Sequence, residues 1–105
     1  MDLLDVYRRK IIDLNNVNNL TPGLLHRNKP MFKLVSYINL AFTFLMSESY
    51  DYCALFINRA EYEYGNAFNK SNNYIIDSMV LLKEIKNALV EYNLLSDNMT
   101  RIINE

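Results

Sequence analysis

Hydrophobic residues recur at intervals of three and four along most of the chain, which is the spacing of one side of an α-helix. The first such stripe predicts a helix over residues 3–14. Similar stripes predict longer helices over residues 30–46, 50–68 and 73–94, and a short helix is expected after Ser96, ending near residue 103. Strand-type alternation is absent. The pattern predicts an all-α fold, a compact antiparallel bundle of four main helices, in one domain over residues 1–105.

Polar residues with helix-capping chemistry stand between these segments. A run of asparagines after Leu14 is expected to end the first helix. Thr21-Pro22 predicts a short helical turn through His26, and Pro30 suits the first turn of the next helix. The remaining helices are expected to start at the following caps: Asp2 for the first, Ser49 for the third, Ser71 or Asn72 for the fourth and Ser96 for the last.

The fourth predicted helix carries two apolar stripes rather than one. The first is Ile75, Met79, Leu82 and Leu89, and the second is Ile76, Val80, Val90 and Leu94. A stripe this wide contacts more than one neighbour. Either the helix lies between two helices of its own domain, or part of it contacts a partner.

Composition adds a reason to expect a partner. Half of the residues are hydrophobic, including eight Tyr and five Phe, whereas a helical domain of 105 residues has few interior positions. The surplus is explained by another protein or a second copy covering it, or by tyrosines that lie half-exposed with their hydroxyl groups in water. Both explanations remain open at this point.

Charge and residue types disfavour several other functions. The net charge of −1, with both signs interspersed, offers no basic stripe for nucleic acid. Charged residues near the N-terminus and short apolar runs predict neither a signal peptide nor a membrane span, so we expect a cytoplasmic protein. Cys53 is the single cysteine and His26 the single histidine, and neither has partners at metal-ligand spacing. We therefore expect no metal, no cofactor, no small-molecule substrate and no enzymatic activity, and we expect Cys53 to be a buried thiol.

Large and small residues alternate in the central segment from Tyr37 to Ala60. Small residues let two helices approach closely while large ones fill the adjoining spaces. The positions expected to pack in this way are Tyr37, Leu40, Ala41, Phe44, Cys53, Ile57 and Ala60. With Tyr50 as the aromatic residue at the turn, this order resembles a single tetratricopeptide repeat, a 34-residue helix-turn-helix. Glu48 stands where that repeat usually has glycine, and no second copy is found one repeat length away. A generic helical hairpin is the alternative.

The resemblance implies a protein-binding function, because repeats of this kind hold a helix or an extended peptide of another protein. We expect an adaptor or a chaperone that masks a segment of a client, and the small chaperones of bacterial secretion apparatus are similar in size and architecture. The expected contact residues are Tyr52, Phe56, Tyr62 and Tyr64. The alternatives are a homodimer formed through the fourth helix and a phage or viral inhibitor of a host protein.

Overall fold

The computed structural model describes residues 4–17, 29–66 and 73–104, and these fold into α-helices. The helices are α1 (Asp5–Val17), α2 (Lys29–Met46), α3 (Tyr50–Asn66), α4 (Asn73–Glu91) and α5 (Asp97–Asn104). The predicted all-α class is confirmed. The expected turn over residues 21–26, and the expected caps Asp2, Ser71 and Asn72, lie outside the described residues.

Helix α1 begins and ends later than the sequence predicts. The Leu4 carbonyl accepts a hydrogen bond from the Arg8 amide at 3.0 Å, so the first turn starts at Asp5. The helix then continues through Asn15 and Asn16 to Val17. The helix therefore ends three residues later than predicted, inside the asparagine-rich run 15–19, because one asparagine costs a helix less than about 1 kcal/mol relative to alanine and does not by itself stop it.

Helices α2 and α3 form the antiparallel hairpin that the sequence predicts. Pro30 lies in the first turn of α2, and the Ser49 carbonyl accepts the Cys53 amide at 2.9 Å as α3 begins. Between the helices Glu48 adopts a positive φ of 63°. The Glu48 amide bonds to the Leu45 carbonyl at 3.1 Å, and the Ser49 amide to the Phe44 carbonyl at 2.8 Å. This is a Schellman ending, with glutamate in the position that usually holds glycine.

The same ending closes α4. Asn93 has φ 55°, its amide bonds to the Val90 carbonyl at 3.1 Å, and the Leu94 amide bonds to the Leu89 carbonyl at 3.0 Å. Helix α4 therefore ends at Glu91 rather than at Leu94 as predicted. The predicted cap of the last helix is confirmed, because the Ser96 Oγ accepts the Met99 amide at 3.2 Å.

The buried hydrophobic side chains form one core cluster. Its fully enclosed members include Leu34, Ile38 and Leu45 of α2, together with Ile57 of α3 and Leu82 of α4. Helix α4 faces this core with eight residues: Tyr74, Ile75, Ser78, Leu81, Leu82, Ile85, Ala88 and Leu89. Of its two predicted stripes, the first has Ile75, Leu82 and Leu89 in the core, whereas Ile76 and Val80 of the second are exposed.

Polar contacts tie the helices together at the rim of the core. Arg8 of α1 pairs with Asp5 at 2.7 Å and reaches Glu48 at 3.7 Å. Lys86 of α4 pairs with Glu61 of α3 at 2.9 Å. None of the helices in the described ranges combines the length and the hydropathy needed to cross a bilayer.

Candidate interaction surface

Four aromatic rings line the outer seam between α2 and α3. Tyr37 and Phe44 are seven residues apart and so lie on the same side of α2. The Phe56 ring of α3 packs against both, with centroids 5.9 Å from Tyr37 and 5.5 Å from Phe44. The Tyr52 ring stacks on Phe44 at 5.3 Å. Together with Arg59 and Tyr62, these residues make up a surface that we call the aromatic face.

Small residues on the opposite side of α3 explain why the rings lie at this seam. The small residues Cys53, Ala54 and Ala60 are fully buried, so α3 packs closely on the core there, and Ile57 fills the adjoining space. The aromatic residues Tyr52 and Phe56 lie on the outer side, where only part of each ring is covered.

The packing residues expected in the hairpin divide into three groups in the structure. Ala41, Cys53, Ile57 and Ala60 are fully buried, as predicted. Tyr37 and Phe44 pack against the core but remain half-buried. Leu40 departs from the expectation, since 37% of it is exposed.

The four expected contact residues also differ in accessibility. Tyr52 and Tyr62 are 59% and 72% exposed, so most of the surface of each is accessible to solvent. Phe56 and Tyr64 are half-buried and pack against the core. Phe56 therefore contributes to the aromatic face mainly by holding the other rings in place.

A shallow depression of about 310 Å³ continues the aromatic face along α3. Its apolar walls are Tyr37, Leu55 and Tyr62, together with Ile102 from α5. The polar residues of its lining are Asn58, Arg59 and Glu63. The Arg59 guanidinium lies 5.2 Å from the centre of the Phe56 ring. An apolar floor with a cation and a carboxylate beside it suits a peptide segment that carries both apolar and charged side chains.

Neither the thiol nor the buried phenol of the chain has the properties of a reactive group. Burial raises the pKa of the Cys53 thiol from its ordinary value of 9.0 to about 12, so the thiol stays protonated and unreactive. Burial also raises the pKa of Tyr74, whose hydroxyl donates to Asn39 Oδ1 at 3.2 Å. Within the described ranges no three His, Cys, Asp or Glu residues come together as a metal site.

Comparison with known proteins does not extend this picture. No protein-family model, no curated protein and no solved structure matches the chain. The resemblance to a tetratricopeptide repeat and to secretion chaperones therefore stays a prediction.

Sequence reasoning did not assign Tyr37, Phe44, Arg59 or Ile102 to the interaction surface. Arg59 follows Phe56 by three residues, and on a helix that spacing makes them neighbours. This signal is present in the sequence. By contrast, Ile102 enters the surface because α5 packs beside α3, and no local pattern indicates that contact.

Proposed function

We propose that the chain is a small protein-protein interaction module that holds a segment of another protein against the aromatic face. The observation that carries this proposal is the continuity of the surface. Stacked rings with two largely exposed tyrosines run into a depression whose rim holds Arg59 and Glu63. In this role the chain is an adaptor or a chaperone, acting in the cytoplasm.

The stacking supports the proposal on energetic grounds. Binding orders the side chains of an interface and pays for this in conformational entropy, about 0.5–1.5 kcal/mol for each flexible side chain. Tyr52 is already held on Phe44, and Phe44 on Phe56, so these rings lose little freedom when a partner covers them. Tyrosine and arginine are also among the residues that are enriched at the energetic centre of protein interfaces.

The charged residues beside the aromatic face indicate which side chains a bound segment would carry. Arg59 contacts the Phe56 ring, and no carboxylate of the described residues forms an ion pair with it. A segment with apolar side chains over Tyr62 and Leu55 and a carboxylate beside Arg59 satisfies both the apolar floor and this cation.

Site-specific photo-crosslinking tests the proposal. A benzoylphenylalanine residue replaces Tyr62 in one variant, and Ile12, which is 48% exposed on α1, in a matched control. After irradiation in cells that make the chain naturally, position 62 is expected to capture one defined protein and position 12 is not. Tyr52→Lys in the same chain is expected to reduce the yield at position 62.

Two outcomes contradict the proposal. One is that positions 62 and 12 capture the same products in the same amounts. The other is that position 62 captures nothing while the folded chain binds no hydrophobic dye. Client aggregation measured with and without the chain then separates a chaperone from an adaptor, because only a chaperone suppresses it.

A further inference from the structure

A second surface, which shares no residue with the aromatic face, lies between α1 and α4. It is a groove of about 260 Å³ lined by Lys10, Leu14, Asp77, Val80, Leu81 and Glu84. Val80 is 57% exposed, although it is an aliphatic residue in the middle of the helix. Ile76, one turn earlier on α4, is 37% exposed.

Charges of both signs surround the apolar floor of this groove. The Lys10 Nζ lies 3.3 Å from Glu84 Oε2, and both side chains remain about half-exposed. Asp77 is exposed and makes no ion pair with any of the described residues. One cation and two carboxylates therefore border Leu14, Val80 and Leu81.

The spacing of the two carboxylates has a symmetry that a second copy of the chain can use. Asp77 and Glu84 are seven residues apart, so they lie on the same side of α4 and about 10 Å apart along its axis. Their midpoint falls between Val80 and Leu81. Suppose that two α4 helices pack antiparallel about a two-fold axis at that point. Asp77 of one copy then lies level with Glu84 of the other copy along the helix axis. Because Lys10 lies beside Glu84, Asp77 also lies close to Lys10 of that other copy.

We propose that the chain forms a homodimer through this groove. Val80 of each copy covers the apolar floor of the other, and Lys10 of each copy pairs with Asp77 of the other. The same patch serves both copies, as a closed two-fold dimer requires. Because Lys10 already lies beside Glu84, it bridges two carboxylates in the dimer and neutralises the approach of Asp77 to Glu84.

Charge exchange between two variants tests this register. Lys10→Asp places two acidic contacts in the dimer, and Asp77→Lys places two basic ones. Each variant alone is expected to associate at least about tenfold more weakly than the parent in sedimentation equilibrium, because like charges then face each other twice. An equimolar mixture of the two variants is expected to recover association, since the mixed dimer keeps one original Lys10–Asp77 pair and forms a second one with its two charges exchanged.

Two further variants separate this interface from the aromatic face. Val80→Lys is expected to abolish the dimer, and Tyr62→Lys is expected to leave it unchanged. All four substituted side chains are more than a third exposed, so circular dichroism and the melting temperature at low concentration are expected to match the parent.

The proposal is overturned by a parent chain that stays monomeric at every concentration, by a mixture that associates no better than its components, or by a dimer that Tyr62→Lys dissociates. The first two results leave capture of another protein by the aromatic face untouched, whereas the third would place the aromatic face itself at an interface between two copies.

Discussion

The inner and outer sides of the α2–α3 hairpin are built in opposite ways. The inner side of α3 carries small side chains, Cys53, Ala54 and Ala60 among them, with no exposed surface. On the outer side, aromatic rings stack on one another and Tyr52 and Tyr62 remain mostly exposed. The inner side therefore determines how closely the helices approach, and the outer side keeps two tyrosines whose exposed surface folding does not bury.

This difference separates positions that determine stability from positions that stay accessible on the same helix. A substitution on the inner side changes packing and is expected to lower the free energy of unfolding. A substitution at the most exposed outer positions is expected to leave that free energy almost unchanged, because surface positions usually contribute within about 0.5 kcal/mol. The following predictions test the comparison, beginning with the largest expected effect.

Ala60→Leu is expected to destabilise the protein by about 1–3 kcal/mol, because three further carbon atoms must fit where Ala60 has no exposed surface. Urea unfolding followed by circular dichroism measures the loss. Tyr62→Leu, on the outer side of the same helix, is the control and is expected to unfold with the parent. If Ala60→Leu also unfolds with the parent, the inner side is not closely packed and the comparison fails.

Phe56→Ala is expected to cost about 1–2 kcal/mol. The substitution removes two ring contacts, with Tyr37 and Phe44, and the contact with the Arg59 guanidinium. Tyr52→Ala removes one ring contact, with Phe44, from a side chain that is 59% exposed, and is expected to cost less. Equal losses for the two variants would show that the rings do not act as a stacked series.

The hairpin illustrates what the sequence can predict. Pro30 and Ser49 lie near the helix starts with chemistry that suits those positions, and both starts were predicted to within one residue. The small residues Ala41, Cys53 and Ala60 were correctly assigned to the interior. These features depend on neighbours that are close in sequence or on a simple helical period, which is why one sequence is enough.

Features that depend on distant contacts were harder to predict. The second stripe of α4 has the same hydrophobic character as the first, yet Val80 is exposed because no described element covers it. Phe56 and Tyr64 resemble Tyr52 and Tyr62 in sequence, and only packing against the core distinguishes their accessibility. Helix α4 ends at Glu91 because Asn93 adopts a left-handed conformation. The sequence does not indicate this end, since apolar residues continue at helical spacing as far as Leu94.

The buried thiol on the inner side is expected to make the stability of the protein depend on pH in the alkaline range. Burial raises the pKa of Cys53 from 9.0 to about 12, so between these values the unfolded chain loses a proton that the folded chain retains. The stabilising contribution is complete below pH 9 and is lost as the pH rises towards 12. In urea titrations from pH 8 to 10.5, stability is expected to fall less steeply for Cys53→Ala than for the parent. Parallel curves would contradict burial of the thiol.

Glu48, in the turn between α2 and α3, belongs to neither the inner nor the outer side of the hairpin. Glu48→Gly is expected to stabilise the protein by about 0.5–1 kcal/mol, because glycine adopts the positive φ of 63° without the steric cost that a side chain incurs. The loss of the 3.7 Å contact with Arg8 subtracts little from this gain, since Glu48 is 68% exposed. Glu48→Gln removes the charge and keeps the side chain, so this control measures the loss of the Arg8 contact alone.

The corresponding substitution at the end of α4, Asn93→Gly, is expected to give a smaller gain in stability, since asparagine tolerates its φ of 55°. Thermal melting of the three variants ranks them, and a destabilised Glu48→Gly would show that the contact with Arg8 outweighs the backbone strain.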